Sequence, residues 1–240
     1  VDGAIAIDPV ALSYILGAIG NVTMPDGEEI TKDNVVELTE STAYSRFPLD
    51  QRARKQFLQD IAAQIVKKMT HSIRSPHELL TALGRAVGER RIAVWSASEA
   101  SQKLLEQTPL AHEIPDDAAP YAEVVVNNLA GNKMDYYLKR EITYTADQCG
   151  EATRNSTVTL KLTNGAPDAL LPDYVAGTGG LSPNVNLKIP KGSMLTSVRL
   201  IATKDAQIQT VFANGQLAPV FTGMERGHPT FEIQVVIPPR

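Results

Sequence analysis

The spacing of apolar residues changes once along this 240-residue chain, and that change constrains the fold more than any other feature. In the first half, apolar residues recur at intervals of three and four, which is typical of amphipathic helices. From Tyr121 onward they alternate with polar residues, which is typical of strands with one buried face. Prolines 109, 115 and 120 mark irregular chain between the two patterns.

The change of period predicts two domains, residues 1–118 and 119–240. We expect the first to be an α/β (or α+β) domain with several helices on a small mixed sheet. We expect the second to be an all-β sandwich of the immunoglobulin-like type, because several short strands with frequent turns favour that architecture.

Local signals place the helices of the first domain. A short apolar run, Gly3–Ile7, predicts a buried strand before the first helix. The longest helix is expected from Asp50 to about His71, because a wide apolar stripe follows that aspartate. Each expected helix follows a residue that can cap it, and these residues are Asp8, Thr31, Asp50, Ser75 and Ser96. Ile92–Trp95 predicts a further strand.

The second domain contains many strand signals. The longest is Met134–Asp147, in which Leu138, Ile142 and Tyr144 are expected on one face and polar residues on the other. Asn214-Gly215 is a strong hairpin signal. The other predicted strands are Glu123–Asn127, Thr157–Leu162, Val185–Ile189, Leu195–Ala202, Gln207–Phe212, Leu217–Thr222 and Thr230–Ile237.

Charge is unevenly distributed along the first domain. Residues 1–45 carry eight acidic residues and one lysine, whereas residues 46–91 carry ten basic and four acidic residues. The basic segment begins with Arg46, Arg52, Arg54 and Lys55 around Asp50. Cations in the first turn of a helix oppose its macrodipole, so solvent or a bound anion must offset the cost.

Two interpretations of these cations follow. In the first, Arg46, Arg52, Arg54 and Lys55 cradle a pyrophosphate or another anion at the helix start. Tyr44, Asp50 and Gln56 would support that site. In the second, the cations form a solvated helix start that pairs with Asp50 and with the acidic first segment.

A second polar group opens the long strand. It comprises Lys133, Asp135, Tyr137 and Arg140, beside Asn132. It predicts either a contact surface at the domain junction or a strand face with cross-strand ion pairs.

The sequence contains no complete catalytic motif. The four histidines have no metal-ligand spacing, so no metal site is predicted, and no catalytic residue is assigned. Cys149 is the only cysteine, so the chain can form no internal disulfide and its compartment cannot be read from cysteine usage. The net charge of −4 neither favours nor excludes a nucleic-acid partner, and we predict none.

Three stretches carry a resemblance to a known family. They are VDGAIAIDPVALSYIL (1–16), GNKMDYYLKR (131–140) and LTNGAPDALLPDYV (162–175). In this order and spacing they resemble an uncharacterised family of extracytoplasmic, membrane-anchored proteins common in actinobacteria, the DUF4012 family. The resemblance implies an N-terminal transmembrane anchor before Val1, so we expect this chain to be part of a longer protein.

Residues 1–70 also resemble the second half of a LytR-CpsA-Psr domain. Enzymes of that family transfer glycopolymers from a polyprenyl-pyrophosphate carrier onto peptidoglycan, and their arginines hold the pyrophosphate. Tyr44 and Arg46 match its Tyr-x-Arg motif, and Asp50 stands near its acidic position. The start of its long helix is matched by Arg52, Lys55 and Gln56. The chain departs from the pattern where Pro48 replaces an arginine and Lys55 another, which removes bidentate phosphate recognition at that position.

Three functions follow as expectations. The preferred one is a non-catalytic cell-envelope binding or scaffold protein, outside the cytoplasm, that binds a glycan or a polyprenyl-phosphate carrier. The second is a glycopolymer phosphotransferase whose site is completed upstream of Val1 and which would use Mg²⁺. The third is a purely structural ectodomain. Only the transferase would need a cofactor.

Overall fold

A computed structural model describes residues 1–71, 75–117, 119–147, 150, 153–167, 171–177 and 189–239. The chain forms two compact units, Val1–Ile114 and Pro115–Arg240. The first is an α/β unit and the second is rich in antiparallel strands, as the sequence predicts. The division falls four residues before the predicted one. The reason is local, since the Pro115 carbonyl accepts a hydrogen bond from the His228 ring and Asp116 pairs with Lys204.

The first unit contains six α-helices and four short strands in its described part. The strands are β1 (Gly3–Ile7), β2 (Val22–Thr23), β3 (Glu29–Ile30) and β4 (Ile92–Ser96). The helices are α1 (Pro9–Ile19), α2 (Val35–Glu37), α3 (Ala43–Arg46), α4 (Gln51–His71), α5 (Pro76–Gly88) and α6 (Glu99–Leu105). A π-helical turn, Leu38–Thr42, joins α2 to α3, and a 3₁₀ turn covers Pro109–Ala111. β1 pairs with β4 and β2 with β3, both antiparallel.

Most helix starts follow the predicted caps. The Asp8 carboxylate accepts a hydrogen bond from the Ala11 amide (2.8 Å), and the Ser75 hydroxyl accepts one from the Glu78 amide (3.3 Å). The prediction for α6 is wrong by two residues. Ser98, not Ser96, caps this helix, because the Ser96 hydroxyl accepts a hydrogen bond from the Ser98 amide and thereby turns the chain before the helix begins.

The core of the first unit lies between α1 and α4. Leu16 and Ile19 of α1 are almost fully buried, as are Ile61 and Ile65 of α4. Ile30 of β3 belongs to the same cluster. Because these residues recur at helical spacing, the stripe that predicts α4 is also the face that packs.

The prediction that β1 is buried is wrong. All five of its residues are exposed, and the side chain of Ile5 is 72% exposed. In the described chain β1 pairs with β4 alone, so one edge of the strand has no neighbour. The apolar sequence of Gly3–Ile7 therefore predicts a strand correctly, but it does not predict whether that strand is buried.

The second unit is built on a four-stranded antiparallel sheet with the order β11-β12-β8-β5. The strands of the unit are β5 (Ala122–Asn128), β6 (Leu138–Ala146), β7 (Ser156–Asn164), β8 (Met194–Ala202), β9 (Phe212–Ala213), β10 (Gln216–Leu217), β11 (Phe221–Glu225) and β12 (His228–Ile237). β6 pairs with β7, and β9 pairs with β10, each as a separate antiparallel ribbon. A one-turn helix, α7, covers Asp173–Ala176.

Several strand predictions need correction. Met134–Tyr137 forms a 3₁₀ turn, so the long strand begins only at Leu138. The reason is that the Asn132 side chain accepts a hydrogen bond from the Met134 amide and starts a turn there. In place of the predicted strands Gln207–Phe212 and Leu217–Thr222, the chain forms the two-residue strands β9 and β10 and the separate strand β11, which runs on to Glu225. The predicted Asn214-Gly215 turn lies between β9 and β10. Cys149 and most of Val185–Ile189 lie outside the described residues.

Candidate functional site

The predicted site lies at the start of α4. Asp50 caps this helix, since its carboxylate accepts a hydrogen bond from the Ala53 amide (2.9 Å). An acidic cap at a helix N-terminus is electrostatically favourable and offsets part of the cost of cations in the first turn. The structure then divides the four predicted cations into two pairs with different surroundings.

Arg46 forms an ion pair within the first unit. Its guanidinium donates two hydrogen bonds to the Glu28 carboxylate, at 2.7 and 2.9 Å, and lies 5.0 Å from the centroid of the Phe57 ring. The hydrogen bond from Arg46 lowers the pKa of Glu28. This bidentate pair joins one cation of the cluster to the acidic first segment.

Arg54 is also engaged, and it is buried. Its side chain is 4% exposed, and it donates a hydrogen bond to the Phe47 carbonyl at 2.7 Å. The guanidinium lies 5.3 Å from the centroid of the Tyr44 ring. Arg54 thus ties the end of α3 to α4. The sequence held a signal for this, because Arg54 precedes Phe57, Ile61 and Ile65 at helical spacing and so belongs to the buried stripe.

Arg52 and Lys55 have different surroundings. Both side chains are exposed, and neither forms a hydrogen bond or ion pair with any residue that the structure describes. Together with Gln51, Gln56 and Gln59 they border an open depression of about 350 Å³. All five residues belong to α4, so the depression is a groove between side chains on one helix face. Its polar groups are two cations and three side-chain amides.

A second depression of about 300 Å³ adjoins the first and shares Gln56 with it. Met24, Pro25 and Phe57 give it apolar walls, and Asp26 and Asp60 lie at its border. The Gln56 amide donates a hydrogen bond to the Asp60 carboxylate (2.8 Å), which fixes the side chain between the two depressions. Arg46 and Arg54 border neither depression.

The polar group predicted at the start of the long strand lies within the second unit. The Asp135 carboxylate accepts a hydrogen bond from the side-chain amide of Asn128 (2.7 Å). The rings of Tyr136 and Tyr137 pack edge to face. Arg140 is exposed on β6. The Lys133 amide donates to the Val175 carbonyl (2.9 Å).

Two asparagines organise this turn, Asn132 of the predicted polar group and Asn128, which the sequence pattern does not single out. Asn128 accepts hydrogen bonds from the amides of Ala130 and Gly131, and buried Asn132 donates to the Ser193 carbonyl. The available signal was the run of small and polar residues between two strand patterns, which is typical of side-chain-stabilised turns. The polar group at the start of β6 is therefore a turn that asparagine side chains stabilise by hydrogen bonds.

The described residues contain no group of three or more metal-ligating side chains. Within that same part of the chain, no helix combines the length and apolar composition required to cross a bilayer.

Comparison with known proteins adds one finding. Residues 1–44 match a family described as "Protein of unknown function (DUF4012)". This segment covers β1 through the first residues of α3 and stops just before the basic cluster. A search of curated proteins found no match. A search of solved structures also found none.

Proposed function

We propose that the protein is an extracytoplasmic, membrane-anchored binding or scaffold protein of the cell envelope, and that its α/β unit binds a phosphate-bearing glycan carrier on the exposed face of α4. The proposal assigns no catalytic residue. The observation that carries it is the pair Arg52 and Lys55, which are exposed side by side without a described partner.

The chemistry of the two depressions supports this ligand class. Arg52 and Lys55 provide charge-assisted donors for phosphate oxygens. The amides of Gln51 and Gln59 can donate to and accept from sugar hydroxyls. The adjoining walls of Met24, Pro25 and Phe57 suit the first isoprene unit of a prenyl chain, because they are apolar and reachable past Gln56.

The second unit fits the scaffold part of the proposal. We take it to be an immunoglobulin-like sandwich that contacts a protein or glycan partner. The four-stranded antiparallel sheet and the separate ribbon of β6 and β7 support that architecture, since two antiparallel layers are its defining feature.

The test is a binding titration with farnesyl diphosphate, a short soluble analogue of the carrier. Lys55→Gln and Lys67→Gln form a matched pair, because each removes one exposed lysine charge from α4. Lys55→Gln is expected to weaken binding roughly tenfold, the effect of losing one charge-assisted hydrogen bond. Lys67→Gln is expected to leave binding unchanged.

Two further probes identify which part of the ligand is bound. Inorganic pyrophosphate should bind more weakly than farnesyl diphosphate but show the same dependence on Lys55. Farnesol, which has no phosphate, should not bind. Equal affinities for the two lysine variants, or no binding by the wild type, would refute the proposed function.

A further inference from the structure

The segment between Asp205 and Glu225 contains no charged residue over nineteen positions, in a chain in which 21% of residues are charged. It includes β9, β10 and most of β11, and all of it is described. The segment nevertheless exposes several large apolar side chains to solvent. They are Ile208, Phe212, Leu217, Phe221 and Met224.

Two of these side chains sit together on a tight hairpin. Phe212 of β9 and Leu217 of β10 are direct cross-strand partners, so their side chains share one face. They are 60% and 73% exposed. Asn214 and Gly215 form the turn with φ values of 51° and 78°, which is the left-handed backbone of a type I′ turn.

Hydrogen bonds fix the base of the hairpin, whereas its tip pairs with no other described strand. The Ala218 amide donates to the Val211 carbonyl (3.0 Å), which extends the pairing by one step, and Gln209 donates to the Asn155 side chain (2.9 Å). Among the described strands, β9 and β10 pair only with each other. Phe212 and Leu217 therefore stand on a ribbon that the main sheet does not cover.

From this placement we infer that the hairpin of residues 211–218 docks onto a lipid surface by inserting Phe212 and Leu217 at the boundary between headgroups and acyl chains. Clustered apolar exposure of this kind marks an interaction site rather than ordinary surface. The absence of charged residues around the hairpin indicates a lipid surface as the occupant. A protein interface has a polar and charged rim and is enriched in arginine, and the nineteen uncharged positions of this segment provide neither. A bilayer interior penalises every charged side chain, so an uncharged segment suits it.

The depth of insertion is limited by the backbone. The outward-facing N–H and C=O groups of a two-stranded ribbon have no partner strand, so they must stay where headgroups and water can hydrogen-bond them. Only side chains then enter the apolar layer, as in other interfacial anchors. This contact is independent of the phosphate site on α4 and requires no anionic lipid.

The experiment is co-sedimentation of the intact chain with vesicles of pure phosphatidylcholine at 0.15 and 0.5 M salt. Phe212→Ser/Leu217→Ser is expected to lower the partition coefficient at least tenfold, since two apolar side chains no longer leave water. Leu80→Ser/Leu104→Ser is the matched control, because both leucines are similarly exposed, at 68% and 66%, in the first unit. Wild type and control should bind equally at both salt concentrations.

A spectroscopic variant makes the test independent of sedimentation. In a Trp95→Phe background, Phe212→Trp should show a blue shift of its emission when vesicles are added. Absence of that shift, failure of the wild type to sediment, or equal loss in the two double variants would overturn the inference. So would concentration-dependent self-association that the Phe212 and Leu217 substitutions abolish without vesicles, because the hairpin would then be a protein interface. Loss of farnesyl diphosphate binding alone would leave this result unaffected.

Discussion

Replacing Arg54 with methionine is expected to destabilise the first unit strongly, although this residue looks like a member of a surface charge cluster in the sequence. Methionine keeps the apolar stem of the arginine and removes its guanidinium. The Phe47 carbonyl then loses a charged donor at 2.7 Å, and the Tyr44 ring loses the cation above it.

The size of the effect can be worked from these two contacts. A hydrogen bond from a charged group contributes about 1.5–3 kcal/mol, and a partly desolvated cation–π contact about 0.5–2 kcal/mol. Because the methionine side chain refills part of the space, we expect a net loss of about 2–4 kcal/mol. With a urea dependence near 1.5 kcal/mol per molar, the unfolding midpoint should fall by roughly 2 M.

Urea unfolding followed by tryptophan fluorescence is the assay. Trp95 is the only tryptophan and lies on β4, so its signal reports the first unit and not the second. Arg52→Met is the matched control, since the same change on an exposed residue of the same helix should alter stability by less than about 0.5 kcal/mol. Equal midpoints for the two variants would refute the division of the cluster into buried and exposed cations.

Three further predictions concern stability. Glu89 has its pKa lowered to about 2, chiefly by the hydrogen bond from Arg91, so its contribution is complete above about pH 4.5 and is lost as pH falls toward 2. Acid unfolding of Glu89→Gln should therefore lack that part of the pH dependence, and an unchanged acid profile would contradict it. A double-mutant cycle of Glu28→Gln and Arg46→Gln should give a coupling of about 0.5–1.5 kcal/mol, and additive effects would contradict the pair. His228→Phe should destabilise the second unit by about 2–4 kcal/mol in thermal unfolding, because the ring nitrogens lie 2.8 Å from the carbonyl oxygens of Ala202 and Pro115 and a phenylalanine ring can donate a hydrogen bond to neither. A much smaller change in the midpoint of thermal unfolding would contradict this prediction, because it would show that water satisfies the two carbonyl oxygens.

The features that could be predicted from sequence are those fixed by near neighbours. Asp50 caps α4 through the amide three residues on, and Asn214-Gly215 turns the chain between adjacent strands. In each case the residues that interact are separated by only a few positions. The change from helical to alternating period reports which face is buried, so it correctly separates the α/β unit from the β-rich unit.

The features that could not be predicted depend on distant partners. Arg46 pairs with Glu28 across eighteen residues, and no local pattern specifies that pairing. The exposure of β1 was missed for the same reason, because a strand's apolar sequence does not say how many strands flank it. The sequence places Arg52, Arg54 and Lys55 together on α4, whereas only the three-dimensional arrangement shows that Arg54 is buried and that Arg52 and Lys55 are exposed.

The measurement that tests the central claim most directly compares farnesyl diphosphate affinity in two double variants. Arg52→Gln/Lys55→Gln removes the exposed pair, and Glu28→Gln/Arg46→Gln removes an internal ion pair. The account predicts that the first raises the dissociation constant roughly 30-fold or more, the loss of two charge-assisted contacts, while the second changes it less than about threefold. The reverse order would contradict the account, because Arg46 would then be the cation that binds the phosphate.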